Sequence, residues 1–405
     1  MVRKLRVAID CRIDNPQQGI GTALLAFAKA LSDSGNENQE YTFIVRENVR
    51  DWLAPYVYGP CTLTGIPEPT FSAMKASLRR IAPLRLIKAK LANKVRPIPV
   101  SDGYVESQRF DIVHFPTQTA YKAGLPTIYQ PHDLQHLHYP QFFPETEVAQ
   151  REREFRAFFH RATYICVQTE WTKQDLICHY EVARKKVVVV PWGSVFEAYG
   201  NPSPREIRAA VSKYALPSRF FFYPAVTWPH KNHEVILRAI HLLKRDAGVD
   251  AQLILTGKST NFRATLDSLA RELGISAQIH HLGFLPPAEL QAIYSTAVAM
   301  IYPSKFEGFG LPILEAFQAR LPVLSSNATT LPEVARDGAV FFDPNSAREL
   351  SALMMAVLEK PELREDLISK GTLVLSQYSF RNTAASFQEL YSRTAALQAE
   401  ASRLS

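Results

Sequence analysis

Short apolar runs alternate with amphipathic helical patterns along most of this chain, and no other feature limits its fold as strongly. The first run, residues 5–9, is separated from the next, residues 41–45, by a stretch with Leu24, Phe27 and Leu31 on one helical face. A strand, a helix and a second strand in this order form a parallel pair through a right-handed crossover. The sequence therefore predicts an α/β protein.

The alternation runs through two successive series of predicted strands. The first series continues at residues 110–115, 126–129, 163–167 and 186–190. After a proline-containing stretch, a second series has strands at residues 220–223, 252–256, 278–282, 298–302, 323–325 and 340–342. We therefore expect two Rossmann-like, doubly wound domains that face each other across a cleft.

The domain limits follow from these two series. An N-terminal domain is predicted at residues 1–195, a linker at 196–217 and a C-terminal domain at 218–380. Residues 381–405 carry a helical apolar pattern. We expect this last helix to cross back and pack on the first domain.

Composition excludes several classes of protein. Hydrophobic residues make up 46% of the chain and charged residues 21%, which is typical of globular proteins rather than disordered ones. The four cysteines have no C-x-x-C spacing, which argues against a disulfide framework or a zinc ribbon. The N-terminus lacks the apolar core of a signal peptide, so a cytoplasmic location is predicted. The net charge of +7 favours anionic partners.

Part of that positive charge is concentrated in residues 75–96, which contain basic residues and no acidic ones. Apolar residues recur between the cations at near-helical spacing, as in segments that lie on anionic lipid. A solvated helix that packs its apolar side on the sheet is the alternative. The segment lacks an aromatic stacking pattern, so nucleic acid is not an expected partner. A peripheral position on the inner face of the plasma membrane is thus a hypothesis.

Three histidines follow the predicted strand at residues 126–129. His132, His136 and His138 lie with Asp133 where open α/β sheets bind ligands, at the carboxyl end of a strand. A metal site is one interpretation of this cluster. The interpretation we favour is a single histidine that lines an acceptor cleft, and no metal.

The most informative stretch is residues 304–315, Ser-Lys-Phe-Glu-Gly-Phe-Gly-Leu-Pro-Ile-Leu-Glu. It predicts a strand, a glycine turn and a helix whose N-terminus can hold an anion such as a diphosphate. Glu307 on the turn and Glu315 in the helix would accept hydrogen bonds from the hydroxyl groups of a sugar. These two carboxylates next to an anion site suggest a hydroxyl-rich ligand. Taken alone, the stretch fits an ordinary surface loop with solvated glutamates better, and the neighbouring motifs decide between the two.

Other predicted strand ends of the second series point to the same edge of the sheet. Lys231 follows the first strand of that series, Gly257 follows the second, and Gly283 follows the third. A lysine supplies a point charge for a phosphate, and a glycine lets a ligand approach the backbone closely. A nucleotide is therefore predicted to bind along these strand ends.

Several motifs together resemble one known family. They are Gly19-Ile-Gly-Thr, Tyr-Gln-Pro-His132-Asp, Trp-Pro-His-Lys231-Asn, the stretch containing Glu307 and Glu315, and Leu-Pro-Glu-Val at residues 331–334. In this order they are similar to the retaining glycosyltransferases of the GT-B fold called family four, or glycosyl transferase group 1. The resemblance covers nearly the whole chain. It implies a sugar-nucleotide donor bound mainly by the C-terminal domain, an acceptor bound mainly by the N-terminal domain, and neither a metal nor a separate cofactor.

The resemblance also implies roles for residues on the donor side. Glu307 matches the glutamate that contacts the transferred sugar, and Glu315 matches the one that holds the donor ribose. Phe309, Gly310 and Leu311 match positions whose backbone amides meet the diphosphate. These roles are expectations carried over from the family.

Further matches concern the phosphate and the acceptor. Lys231 matches the family's phosphate lysine, but the chain has Ala225 where the family usually has an arginine. His132 matches a histidine beside the reacting sugar. Gly19 and Gly21 match a glycine loop near the leaving phosphate. Part of the family's phosphate clamp is therefore absent or is supplied by other residues.

The expected activity is the retaining, metal-independent transfer of a hexose to a hydroxyl of a glycan or lipid-linked acceptor in polysaccharide biosynthesis. Residues 228–233 resemble bacterial mannosyltransferases, so GDP-mannose is the donor expected first. The alternatives are a GT-B sugar-nucleotide epimerase and a non-catalytic scaffold that binds nucleotide sugars or membranes.

Overall fold

The computed structural model describes residues 3–13, 19–67 and 96–404. Except for Arg96, the basic segment 75–96 lies outside these residues, so its contact with a membrane stays a prediction. The chain forms two compact units. The first comprises Met1–Pro191 and Phe380–Ser405, and the second comprises Trp192–Ser379.

The first unit contains a parallel sheet of seven described strands in the order β3-β2-β1-β4-β5-β6-β7. In register, Leu5 lies beside Gln39, and Val7 lies beside Ile112. The strands are β1 Leu5–Asp10, β2 Gln39–Arg46, β3 Cys61–Ile66, β4 Ile112–Phe115, β5 Thr127–Tyr129, β6 Tyr164–Val167 and β7 Val187–Val189. The α-helices described in this unit are Ile20–Asp33, Arg50–Leu53, Tyr104–Ser107, Gln135–His138, Glu145–Arg161, Glu170–Tyr180 and Phe380–Leu404.

The second unit contains a parallel sheet of six strands in the order β10-β9-β8-β11-β12-β13. The strands are β8 Phe221–Pro224, β9 Leu253–Thr256, β10 Ile279–His281, β11 Ala299–Tyr302, β12 Val323–Ser326 and β13 Ala339–Phe342. The helices are Pro204–Lys213, His233–Ala247, Arg263–Glu272, Pro287–Thr296, Leu311–Gln318, Leu331–Ala335, Ala347–Glu359 and Pro361–Leu375. Both sheets are doubly wound, as the sequence predicts.

The cores lie on both faces of the sheets. Every residue of β4, β6, β9, β11 and β12 is buried. Parallel strands are covered by helices on both sides, and for this reason they read as continuous apolar runs rather than as alternating patterns. The predicted strands differ from the observed ones by about one or two residues at their ends, as is usual for boundaries.

The structure contains several elements that were not predicted, among them one strand and one ten-residue helix. The strand β3 lies at the edge of the first sheet, where only its first residue, Cys61, is buried. The helix Pro204–Lys213 lies within residues 196–217, which were predicted to be a linker, and it packs on the helix Pro287–Thr296. Its N-terminus is a capping box in which Ser203 and Glu206 bond each other's backbone N–H groups. The linker prediction therefore overlooked a helix start signal.

The C-terminal helix packs on the first unit, as predicted. Phe387 lies 4.6 Å from the His114 ring and 5.2 Å from the Phe27 ring between centroids. The hydroxyl of Tyr391 lies 2.7 Å from Nδ1 of His114. Among the described helices, none has the length and apolar character that crossing a bilayer requires.

Candidate active site

A tight loop follows β11 and leads into the helix Leu311–Gln318. Gly310 precedes this helix with φ at 110°, a left-handed conformation that favours glycine. A Cβ atom there would lie 3.0 Å from a methyl carbon of Leu331. Pro312 lies in the first turn of the helix, where its missing N–H costs nothing. The predicted strand, glycine turn and helix are confirmed.

Two threonines hold the loop in place from the segment after β12. Thr329 accepts a hydrogen bond from the Glu307 N–H and donates one to the Glu307 carbonyl, both at 3.1 Å. Thr330 is fully buried, and its hydroxyl lies 3.1 Å from the Glu307 carbonyl and 3.2 Å from the Phe309 carbonyl. The backbone on both sides of Gly308 is therefore fixed from one neighbouring segment, which the sequence pattern did not reveal.

Lys231 and Glu307 form a close ion pair. Lys231 ends the short helical turn Pro229–Lys231 after β8, and its Nζ lies 2.6 Å from Oε1 of Glu307. The two side chains are 20% and 12% exposed. Burial raises the pKa of Glu307, but the charges of Lys231 and His230 outweigh burial and leave the pKa below the ordinary glutamate value. Glu307 is therefore ionised near neutral pH.

The turn that carries Lys231 is itself anchored. Tyr223 donates a hydrogen bond to the Lys231 carbonyl at 2.8 Å. Asn232 has φ at 56° and donates to the carbonyls of Pro303 and Pro344. The N–H of Lys305 donates to the His230 carbonyl at 2.9 Å. These bonds join the loops after β8 and β11, so the ammonium and the carboxylate approach each other from two fixed segments.

Glu315 lies one turn into the helix Leu311–Gln318 and is buried. The hydroxyl of Tyr294, also buried, donates a hydrogen bond of 2.5 Å to Oε2 of Glu315. Burial raises the pKa of Glu315 to about 7, and the bond from Tyr294 works against that rise. The sequence indicated the carboxylate but not its tyrosine partner.

The backbone conformation and the close surroundings of Gly257 favour a glycine at this position. Its φ is 110°, and a Cβ atom there would lie 2.8 Å from the carbonyl atoms of Ala225. The N–H of Gly257 donates to the carbonyl of Gly283 at 2.8 Å, and Gly283 has φ at 74°. The sequence predicts a close ligand at Gly257, and this stays a prediction. The structure adds that the Ala225 backbone lies close to the same position.

His132, Gly19 and Gly21 belong to the first unit, whereas Lys231, Glu307 and Glu315 belong to the second. His132 is buried with φ at 66°. Gln168 donates to its Nδ1 at 3.2 Å, and its Nε2 lies 2.9 Å from the Pro116 carbonyl. Burial lowers the pKa of His132 to about 4, so the ring is neutral at neutral pH.

The two glycines lie at the start of the helix Ile20–Asp33. Gly19 precedes the helix with φ at 52°, and its carbonyl accepts a hydrogen bond from the Thr22 hydroxyl at 2.7 Å. Gly21 is buried inside the first turn. The predicted glycine loop thus leads into a helix.

The histidines after β5 do not share one cluster. His136 lies 3.0 Å from a carboxylate oxygen of Glu152, and His138 lies 2.8 Å from one of Asp175. The alternative of a metal site formed by His132, His136, His138 and Asp133 is therefore wrong, because these residues do not form one ligand set. Both carboxylate partners come from later helices, and sequence spacing gave no signal for them.

The second unit thus presents a cation, an ionised carboxylate, a helix N-terminus and a second buried carboxylate on the loops and helices that follow its parallel strands. Helix N-termini attract anions, and carboxylates accept hydrogen bonds from diols. Ligands of doubly wound sheets bind at the carboxyl ends of the strands. This arrangement can hold an anionic, hydroxyl-rich ligand.

Two family models match most of the chain. Residues 205–374 match the family model described as glycosyl transferases group 1, and residues 18–194 match the one described as glycosyltransferase family 4. The chain is 29% identical over 62% of its length to the O-antigen chain mannosyltransferase B of Escherichia coli, of which it covers 66%. It is 29% identical over 56% of its length to the serotype-specific mannosyltransferase WbdA of the same species, of which it covers 28%.

Solved structures match over nearly the whole chain. The Anabaena protein Alr3699/HepE in complex with UDP and glucose superposes with a TM-score of 0.71 at 16% identity, over 96% of this chain and 100% of that one. A glycosyltransferase from Rickettsia africae superposes with a TM-score of 0.70 at 16% identity, over 96% and 98%. Such likeness concerns the fold, which is GT-B. The chain accordingly belongs to glycosyltransferase family 4, the glycosyl transferases group 1.

Proposed function

We propose that the protein transfers a hexose from a nucleoside diphosphate sugar to a hydroxyl of a glycan or lipid-linked acceptor, with retention at the anomeric carbon and without a metal. The observation that carries this proposal is the Lys231–Glu307 ion pair beside the N-terminus of the helix Leu311–Gln318. A cation and a helix start attract the diphosphate, and a fixed carboxylate attracts the sugar hydroxyls.

Negative charge grows on the diphosphate as the bond to the sugar breaks. Lys231 and the backbone amides of Phe309, Gly310 and Leu311 would stabilise that charge. Donors that are already in position lose little energy to reorganisation, which is why such electrostatic stabilisation is often the largest contribution to catalysis. The hydrogen bonds from Thr329 and Thr330 support this role because they fix the same loop.

The reaction needs no separate base to take up the proton of the acceptor hydroxyl. The acceptor hydroxyl attacks the anomeric carbon on the face from which the diphosphate leaves, and its proton passes to an oxygen of the leaving phosphate. Glu307 orients the transferred sugar, and Glu315 accepts hydrogen bonds from the ribose. His132, neutral at the working pH, would exchange its hydrogen bond from Gln168 for one from a sugar hydroxyl and so position that hydroxyl.

In the proposed site, Lys231 neutralises more of the phosphate charge than it would in a site that also had an arginine. Ala225 is buried and supplies no charge at the position where the family usually has an arginine. Its backbone instead packs against Gly257. Donor affinity should therefore depend strongly on Lys231.

Two observations bear on the donor, and they differ. The two Escherichia coli relatives are mannosyltransferases by name, which supports GDP-mannose as the first donor to test. The Anabaena structure holds UDP and glucose, so UDP-glucose is the matched comparison. The base and the sugar should be tested separately by including GDP-glucose.

The test is the release of nucleoside diphosphate from GDP-mannose, GDP-glucose, UDP-glucose and ADP-glucose in EDTA, with and without a lipid-linked glycan acceptor. We expect one donor to give acceptor-dependent release and a product whose anomeric configuration, read by NMR, equals that of the donor. An inverted product would refute the retaining mechanism. Binding without release, for every donor, would favour a scaffold.

A further inference from the structure

A second group of chemically active side chains lies in the first unit, apart from the residues assigned to transfer. His138 ends the helix Gln135–His138, whereas Asp175 and His179 lie one turn apart on the helix Glu170–Tyr180. One ligand atom from each of the three lies within 4.8 Å of the other two. Two imidazoles and one carboxylate form a common ligand set for transition metals.

The distances are those of a compact ligand set. Nε2 of His138 lies 2.8 Å and 3.0 Å from the two oxygens of Asp175. Nδ1 of His179 lies 3.2 Å from Oδ1 of Asp175. Zinc bonds of about 2.0–2.2 Å at tetrahedral angles place ligand atoms roughly 3.3–3.6 Å apart. The two His–Asp contacts would therefore have to lengthen by less than about 1 Å to admit an ion.

The charge of Asp175 supports the same conclusion. Its side chain is 6% exposed, and within the described part of the chain its basic partners in ion pairs are His138 and His179. Those pairs contain neither a lysine nor an arginine. A divalent cation held between the two imidazoles would therefore place a permanent positive charge next to this buried carboxylate.

We propose that His138, Asp175 and His179 bind one divalent transition-metal ion of the zinc class. His138 would bind through Nε2, Asp175 through a carboxylate oxygen and His179 through Nδ1. Each imidazole would bind as the tautomer that carries its proton on the other ring nitrogen. In the metal-free protein a proton on Nδ1 of His179 is donated to the Asp175 carbonyl at 2.8 Å, and the ion replaces it.

The rest of the coordination shell would face solvent. The side chains of His138 and His179 are 31% and 39% exposed, so an ion has a path from solution and room for water. The ion would connect the helix after β5 to the helix after β6, which are otherwise joined here by hydrogen bonds. Its role is structural, and the transfer proposed above proceeds without it.

The test uses untagged full-length protein that has been stripped with EDTA and then titrated with zinc against a chromophoric chelator. We expect one zinc ion to bind tightly to the wild type and to His160→Ala, in which an exposed histidine of the neighbouring helix is removed. We expect His138→Ala, His179→Gln and Asp175→Asn each to weaken that binding by about tenfold or more. Magnesium should not compete, because imidazole ligands disfavour hard cations.

A second measurement covers the case in which Asp175→Asn does not fold. His179 is exposed on its helix, so His179→Gln should fold, and zinc should raise the melting temperature of the wild type but not of this variant. Equal zinc affinity in wild type and His179→Gln would overturn the proposal. Transfer activity in EDTA tests the proposed function separately, because loss of the zinc site leaves that activity intact.

Discussion

Lys231 Nζ lies 2.6 Å from Glu307 Oε1, and the two residues come from loops after different strands, β8 and β11. The proposed mechanism assigns the ammonium to the diphosphate and the carboxylate to the sugar. The same contact lowers the pKa of Glu307, which burial alone would raise. Donor affinity, the ionisation of Glu307 and the stability of the second unit are therefore linked through one ion pair.

Lys231→Ala should weaken the binding of the sugar nucleotide by about tenfold or more, because a charge-assisted contact to phosphate is lost. It should also lower the free energy of unfolding by roughly 3 kcal/mol, since Glu307 then stays buried without its partner. Calorimetric titration and chemical denaturation measure the two effects.

The matched control is Lys370→Ala, which removes an exposed lysine whose Nζ also lies 2.6 Å from its partner carboxylate, that of Asp366. Donor affinity should not change in this variant, and its stability should change much less, because exposed pairs contribute little. An unchanged donor dissociation constant in Lys231→Ala would remove Lys231 from the phosphate site.

Glu315 should make stability depend on pH. Its folded pKa is about 7, above the ordinary glutamate value of 4.5, so the unfolded chain loses this proton first as pH rises. The wild type should therefore lose stability relative to Glu315→Gln between about pH 5 and pH 7, by roughly 2–3 kcal/mol. Denaturant unfolding at pH 5 and pH 8 measures the difference, with the exposed substitution Glu365→Gln as the control. If the free energies of unfolding of wild type and Glu315→Gln differ by the same amount at both pH values, burial does not raise the pKa of Glu315.

Tyr294→Phe should shift the pH dependence of donor binding to higher pH. The hydroxyl of Tyr294 favours the ionised form of Glu315, and its removal raises that carboxyl's pKa further. An ionised Glu315 can accept hydrogen bonds from both ribose hydroxyls. Donor affinity should therefore increase with pH in the wild type, and the variant should reach the same affinity only at higher pH.

The ligand for that measurement should be an intact sugar nucleotide, because its diphosphate is a diester and does not titrate in this range. Tyr391→Phe is the control, since it removes another buried tyrosine hydroxyl, in the first unit. Identical pH profiles for wild type and Tyr294→Phe would exclude the coupling.

Thr330→Val should lower turnover and the melting temperature together. The hydroxyl of Thr330 contacts the carbonyls of Glu307 and Phe309, and valine has a similar shape without the donor. Loss of buried hydrogen bonds costs about 1–3 kcal/mol. Thr330→Ser, which keeps the hydroxyl, should recover most of the turnover. Turnover and melting temperature equal to those of the wild type in Thr330→Val would contradict the role of the hydroxyl, and equal losses in the two variants would mean that the methyl group contributes as much as the hydroxyl.

The structural features that depend on local sequence pattern could be predicted, namely the buried strands and the loop after β11. Buried parallel strands such as β11 are continuous apolar runs, and the loop after β11 contains Gly310 and Pro312 where a tight helix start requires them. Both sheets and the position of the loop could therefore be read directly. The capping signal at Ser203 and Glu206 was also present in the sequence, although the prediction did not use it.

The sequence could not predict contacts that join distant segments. The hydroxyl of Tyr294 reaches Glu315 from a preceding helix, and Asp175 reaches His138 across 37 positions. Side-chain periodicity describes one element at a time, so it indicates which faces are buried but not which polar groups meet. For the same reason, the close approach of the Ala225 backbone to Gly257 gave no signal in the sequence.

The most direct test of the central claim is the transfer rate of Glu307→Gln with the donor that the wild type uses. Glutamine keeps the shape of the side chain and an oxygen that Lys231 can contact, but it lacks the charge that orients the sugar. We predict that turnover falls by about 100-fold or more, while the protein stays folded and loses less stability than Lys231→Ala, because the amide oxygen can still accept a hydrogen bond from Lys231. Turnover equal to that of the wild type would contradict the assignment of Glu307 to the reacting sugar.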